Sequence, residues 1–175
     1  MNMRAPVFLS ALGVISPLGL GKRQVFDTLM AGESPGVSAR NDLLVGGEPI
    51  HVGEVTAALP EVPGELSEYA SRNSAMMIAA AEEIRGDIEA AISSHGRERI
   101  AVVMGTSTSG MDEAEKAVAG AVAGGELPPS YDFAQNELGS PAEALARYLE
   151  LEGPAFAVST ACSSSAQALA DGRRV

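Results

Sequence analysis

One stretch of the chain carries residue types whose spacing could do covalent chemistry: Gly153 to Leu169, GPAFAVSTACSSSAQAL. The apolar run Ala155 to Ser159 reads as a strand, and Ser163 to Arg174 reads as a helix. Between them stand Thr160, Ala161 and Cys162, the one cysteine of the chain. This order puts Cys162 at a strand-to-helix turn, close to the helix N-terminus. Unpaired N–H groups and the positive end of the helix dipole favour an anion there. A thiolate gains from that field, and the thiolate is the nucleophilic form of cysteine. The same amides can face the oxyanion that forms when a carbonyl is attacked. A lone cysteine has a second reading as a small buried apolar side chain. Spacing alone leaves both open.

Other chemistries find little support. The two histidines, His51 and His95, are far apart and lie in unrelated contexts, so they form no metal motif. A single cysteine excludes a disulfide framework and a Cys-rich zinc site. Twelve Lys and Arg against 23 Asp and Glu give a net charge of −11. That balance argues against a nucleic-acid partner, which needs clustered cations. No apolar run reaches the roughly 18 residues of a membrane span. The opening MNMRAPVFLSALGVIS holds one Arg and an apolar run that reads as a strand more than as a secretion leader.

The elements that must position the cysteine follow from the patterning. The 175 residues suit about one domain, and 46% are apolar, enough for a sizeable core. Aromatics are only 4%, so that core is aliphatic. Pro6 to Leu12 reads as a strand. Lys22 to Met30 reads as a short helix stopped by Gly32, with Val25, Phe26 and Leu29 on one face. Ala39 to Gly64 is rich in Gly and Pro and reads as a surface excursion, with a short edge strand at Ile50 to Val55. Arg72 to Ile92 has helical periodicity in Met76, Met77, Ala80, Ala81, Ile84, Ile88 and Ile92. Ile100 to Met104 reads as a buried strand closed by Gly105, and Met111 to Ala123 as a helix. Ser140-Pro141-Ala142-Glu143 has the form of a capping box that starts a helix running to about Leu151. The alternation of strands and helices predicts an α/β layered fold. The last helix runs almost to the end of the sequence with no element after it, so the sequence reads as cut.

Several segments together resemble a known family. Ser159-Thr160-Ala161-Cys162-Ser163-Ser164-Ser165 is similar to the active-site cysteine motif of the β-ketoacyl-[acyl-carrier-protein] synthases, condensing enzymes of the thiolase superfamily. In the same order, VFLSALGVISPLG (Val7 to Gly19) resembles the opening strand and turn of these enzymes. Leu29 to Pro35 resembles the end of their first helix. RIAVVMGTSTSG (Arg99 to Gly110) resembles the second core strand and its glycine-rich loop. Leu149 to Ser159 resembles the approach to the nucleophile. The likeness spans nearly the whole chain, with Ala39 to Gly64 least recognisable. The three serines after the cysteine, Ser71-Arg72-Asn73 and Glu137 to Pro141 resemble a branch found with polyene or specialised lipid pathways.

The resemblance implies the N-terminal portion of a thiolase-like α/β fold over residues 1–175, with the C-terminal half absent. It implies that Cys162 holds an acyl group as a thioester. Malonyl carrier protein then loses carbon dioxide, and its carbanion takes over the acyl group. No metal and no organic redox cofactor is implied. An acyl carrier protein brings the substrates, the location is cytoplasmic, and the enzyme works as a homodimer with the strand before the nucleophile near the partner. Thr108 falls where the family has a residue lining the acyl pocket, against its reading as an ordinary loop residue. Arg72, Arg97 and Arg99 are the candidates for docking an acidic carrier, or are solvated surface residues.

The sequence departs from the family in one respect. Two histidines and a lysine serve the malonyl step, each in its own motif after the cysteine, and no histidine follows Cys162 here. His95 reads as a helix C-terminal residue facing solvent, and His51 as an exposed strand residue. The expectation is an N-terminal fragment, inactive for full condensation and prone to self-association through exposed sheet edges. The competing readings are a non-catalytic, chain-length-determining partner subunit, and a stand-alone thiol enzyme such as a Cys hydrolase, which needs a histidine base.

Overall fold

A computed structural model describes residues 7–175. The chain forms, in order, β1 (Ile15–Ser16), β2 (Gly19–Leu20), α1 (Lys22–Ala31), β3 (Val37–Arg40), β4 (Ile50–Gly53), α2 (Arg72–Glu83), α3 (Arg85–His95), β5 (Val102–Gly105), α4 (Met111–Val122), α5 (Ser140–Tyr148), β6 (Ala155–Val158) and α6 (Ser164–Gly172). Short 3-10 turns lie at Gly64–Tyr69, Arg97–Arg99, Phe133–Asn136 and Ala161–Ser163. The strands pair two by two: β1 with β2 and β3 with β4 antiparallel, β5 with β6 parallel.

The parallel pair is the centre of the layered architecture. Val102 is opposite Ala155 and Gly105 opposite Val158, and the ladder is extended by Val102 N–H to Pro154 O (2.8 Å) and Thr106 N–H to Val158 O (3.2 Å). Side chains alternate along a strand. Val102 and Met104 therefore share one face, where they join Ala81 of α2 and Ala142, Leu145, Ala146 and Leu149 of α5 and its end in the buried core. Val103 and Gly105 face the other way, towards α6. Small side chains let α5 come close: Ala142 and Ala144 are fully buried.

The termini of the helices show which sequence signals act. Gly32 ends α1 in the left-handed conformation (φ 71°), with its N–H on Leu29 O and that of Glu33 on Thr28 O, as a glycine stop requires. The capping box expected at Ser140 does not form. Gly139 is the N-cap, Ser140 is already helical, and its buried Oγ has no hydrogen-bond partner. Pro141 does occupy the first turn. At the other end, Arg97 donates to the carbonyls of Leu149 (2.7 Å) and Glu150 (3.2 Å), satisfying acceptors that the helix leaves open.

Three expectations need correction. Arg72 to Ile92 is two helices, because Ile84 leaves the helical region (φ −113°, ψ 19°) and its N–H makes a tighter bond to Ala81 O. The apolar periodicity runs on through the break, which hides it in the sequence, while Gly86 weakens the helix just beyond. Residues 7–12 join no ladder, and Val7, Phe8, Leu9 and Leu12 are exposed; Pro6 lies outside the described residues. The strand expected over Ile50 to Val55 stops at Gly53 and is half of a hairpin with Val37–Arg40. The Arg40 guanidinium ties that hairpin by bonding both Asp42 and Glu54.

The N-terminal hairpin is held by Glu83 on α2. Its carboxylate accepts the N–H of Val14 (2.9 Å) and of Lys22 (2.7 Å), and pairs with Lys22 Nζ at 3.7 Å. It thus caps α1, whose own N-cap Gly21 has no side chain to do so. The backbone donors of Lys22 and Val14 hold the Glu83 carboxyl below its ordinary value of 4.5. A lowered folded value means stabilisation that is complete above the ordinary value and lost as pH falls through the folded one. Glu83→Gln keeps one acceptor of two. We expect it to lower the denaturation midpoint at neutral pH, and the gap from the parent to close as pH falls below 4.5. Urea titrations of both chains across that range measure this.

Candidate active site

Two loops leave the C-terminal ends of neighbouring parallel strands, the edge where open α/β sheets place their ligands. Residues 106–110 follow β5, and residues 159–163 follow β6. The first carries Thr108 and the second Cys162.

The turn after β6 is set by backbone conformation and by hydroxyls. Ala161 has φ 52°, a left-handed conformation that costs a residue with a Cβ about 1–2 kcal/mol. The chain reverses there and enters the 3-10 turn Ala161–Ser163, which runs directly into α6. Cys162 sits within that turn, exposed and unpaired. The buried-thiol reading is therefore excluded. Ser163 donates from Oγ to Thr160 O (2.8 Å), and Ser164 Oγ links the N–H of Thr160 (3.0 Å) to the carbonyl of Ala161 (2.7 Å). The N-cap of α6, Ser163, makes no side-chain cap bond to the first-turn amides.

The turn is seated on β5. A Cβ built on Gly105 would lie 2.6 Å from the C and O atoms of Ser164 and 2.8 Å from the N of Ser165. Only glycine permits backbone to approach backbone so closely. The glycine that closes the β5 signal in sequence is thus the floor on which the cysteine turn stands.

The Thr108 loop is fixed from a different side. Asn73 Nδ2 donates to Ser109 O (3.3 Å), Ser109 Oγ donates to Glu137 O (2.7 Å), and Glu113 accepts the N–H of Arg72 (2.6 Å). These bonds join the Ser71–Asn73 and Glu137–Pro141 segments, read in sequence only as family-like signatures. Thr108 itself is exposed, and its carbonyl accepts the N–H of Met111 (3.1 Å). It lines an open cleft of about 570 Å³ with Arg72, Asn73, Met76, Thr106 and Met111. Cys162 is not on the wall of that cleft. The structure brings the two residues to one sheet edge without joining them in one pocket.

The histidines lie in neither of these two loops. His51 is an exposed residue of β4, and His95 an exposed residue in the last turn of α3. Two of the three candidate docking arginines have structural bonds: Arg72 with Val55 O, and Arg97 with the end of α5. Among the described residues no cluster of three or more His, Cys, Asp or Glu could hold a metal ion. Sequence reasoning missed Asn73, Ser109 and Ser164. Serine and asparagine are common in turns for local reasons, so only their long-range partners reveal them.

With this geometry in hand, comparison with known proteins is specific. The family model described as "Beta-ketoacyl synthase, N-terminal domain" matches residues 4–174. Among solved structures, the ketosynthase (ApeO) in complex with its chain length factor (ApeC) from Xenorhabdus doucetiae is similar at 44% identity and a TM-score of 0.87. The match covers 94% of this chain and 42% of that one. The ishigamide ketosynthase/chain length factor is similar at 25% identity and a TM-score of 0.70, over 95% of this chain and 43% of that one. The chain thus spans less than half the length of the chains it matches. No curated protein matches it.

The close approach at Gly105 gives a direct test. Gly105→Ala forces the first turn of α6 off β5, an overpacking that costs roughly 1–3 kcal/mol. We expect a lower unfolding midpoint, read by circular dichroism. Faster amide exchange in residues 160–165 is expected to accompany it, with the hairpin β3–β4 unaffected.

Proposed function

The chain belongs to the β-ketoacyl synthase family through its N-terminal domain, and on that premise we propose that it supplies the acylated cysteine of a decarboxylating Claisen condensation. The observation that carries the proposal is the exposed Cys162 at the left-handed β6–α6 turn. A nucleophile for a thioester must be within reach of its substrate, and donors such as the amides of the following helix must be near the carbonyl oxygen it attacks. The uncapped first turn of α6 supports the second requirement.

In the first step Cys162 Sγ adds to the carbonyl carbon of an acyl thioester on a carrier protein. The carbon–sulfur bond to the carrier breaks, and the proton lost by Cys162 ends on the released carrier thiol. In the second step a malonyl thioester loses carbon dioxide. The electron pair of the broken carbon–carbon bond makes the α-carbon a nucleophile, which attacks the acyl carbonyl held on Cys162. The bond from carbon to Sγ breaks, and a β-ketoacyl thioester two carbons longer leaves. Thr108 lines the acyl channel in this scheme, since its loop emerges beside the cysteine turn at the same sheet edge. Neither His51 on β4 nor His95 at the end of α3 lies in the loops that carry Cys162 and Thr108, and in this reading the chain by itself carries the first step and not the second.

The partners follow from the same reading. An acyl carrier protein presents both substrates, in fatty-acid or polyketide and polyene synthesis. The two solved relatives are described as pairs of a ketosynthase with a chain length factor, which supports a second subunit here, either a copy of this chain or such a factor. Carrier-dependent synthesis places the reaction in the cytoplasm; among the described residues no helix is long and apolar enough to cross a membrane. No metal or redox cofactor enters either step.

The test is the intact mass of the chain after mixing with an acyl thioester, with Cys162→Ala beside it. An adduct of one acyl group on the parent and none on the variant is the expected result. A folded parent that stays unmodified while its thiol reacts with alkylating reagents overturns the proposal. That outcome favours the other reading, a non-catalytic subunit that only shapes an acyl pocket for its partner.

A further inference from the structure

The turn that presents Cys162 contains a buried hydroxyl that no step of acyl transfer uses. Ser164 is only 5% exposed, yet it follows the exposed Cys162 by two residues. Its Oγ accepts the N–H of Thr160 at 3.0 Å and donates to the carbonyl of Ala161 at 2.7 Å. These two backbone groups flank the dihedral angles that decide where the chain points as it enters Cys162.

The conformation between them needs holding. Ala161 is left-handed, which a residue with a Cβ does not keep without outside support. The hydroxyl of Ser163 is exposed and bonds only Thr160, through its carbonyl O (2.8 Å) and its Oγ1 (3.0 Å). Water competes with those bonds, whereas the Ser164 bonds are partly buried. Ser164 is itself immobilised from below, because its backbone rests against Gly105. The sequence of supports runs from β5 through Ser164 to the Ala161 peptide and then to Cys162.

We propose that Ser164 is a positioning residue: its hydroxyl holds Ala161 left-handed and so aims Cys162 Sγ for acyl transfer. The proposal rests on the reading of Cys162 as the nucleophile, and its two halves are separable by experiment. Attack on an acyl thioester tolerates little misorientation. Alkylation by a small, freely tumbling reagent needs only an exposed thiol.

The test compares the parent chain with Ser164→Ala and Ser164→Thr. Four quantities are measured: acylation of Cys162 by intact mass, its alkylation by iodoacetamide, and, by NMR, exchange of the Thr160 amide and the φ-dependent coupling of Ala161. For Ser164→Ala we expect acylation to slow about tenfold while alkylation stays within about twofold. The Thr160 amide is expected to exchange faster, and the φ-dependent coupling of Ala161 to leave its left-handed value. Ser164→Thr keeps the hydroxyl and restores acylation. Acylation that is unchanged in Ser164→Ala, or that falls in step with alkylation, overturns the proposal, as does a Thr variant that fails to recover. If the parent itself is not acylated, the nucleophile reading is what fails. The hold on the turn is then decided by Thr160 exchange and the Ala161 coupling. If Ser164→Ala does not fold, the parent decides: a Thr160 amide that exchanges as fast as exposed amides overturns the proposal.

Discussion

The approach of α6 to β5 is the constraint on which the candidate site depends. Gly105 leaves no side chain between the strand and the first turn of the helix. The parallel register places Val158 beside Gly105, so the chain leaving β6 has only a few residues in which to turn back over its neighbour. A gradual loop would not fit that space. The left-handed Ala161 makes the reversal in one residue, and it leaves Cys162 at the outer point of the turn. Exposure of the thiol, strain at Ala161 and the glycine in β5 are therefore one arrangement seen from three sides.

The same logic recurs wherever regular pairing is short. Each sheet among the described residues has only two strands, so much of the backbone is held by side chains from distant segments. Glu83 caps α1 from α2, Arg97 caps α5 from the 3-10 turn before β5, and Asn73 steadies the loop that holds Thr108. Such bonds tie elements far apart in sequence at single points. They let the loops at the strand ends keep a defined shape while remaining open to solvent.

A large apolar surface remains uncovered. Phe26, Leu29 and Met30 form an exposed face of α1. An open groove of about 1170 Å³ runs along β5, with Val7, Leu9 and Leu12 on one side and Ala168 and Leu169 on the other. Exposed apolar surface of this kind marks places where other protein packs. Val7 to Leu12, strand-like in composition, makes no ladder and adds to this exposed surface.

Much of the site is local, and local features are legible in sequence. The strand–Cys–helix order, the glycine stop after α1 and the helices at Met111 and Ser140 follow from periodicity and from Gly and Pro preferences within a few residues. The chemistry available to Cys162 follows from its place before a helix. The tertiary structure decided what depends on distant partners. Ser140 lost its capping role because Gly139 took the N-cap, and the helix after Arg72 broke at Ile84 without any change in apolar spacing. The exposure of Cys162, the hold of Ser164 on its turn and the placing of Thr108 at the same edge but in another cleft all come from packing. The sequence by itself determined that the one cysteine stands between a strand and a helix terminus, because that order arises from neighbouring residues. The seat of its turn was decided by Gly105, some 57 residues earlier in the chain, because a close contact depends on distance in space and not along the backbone.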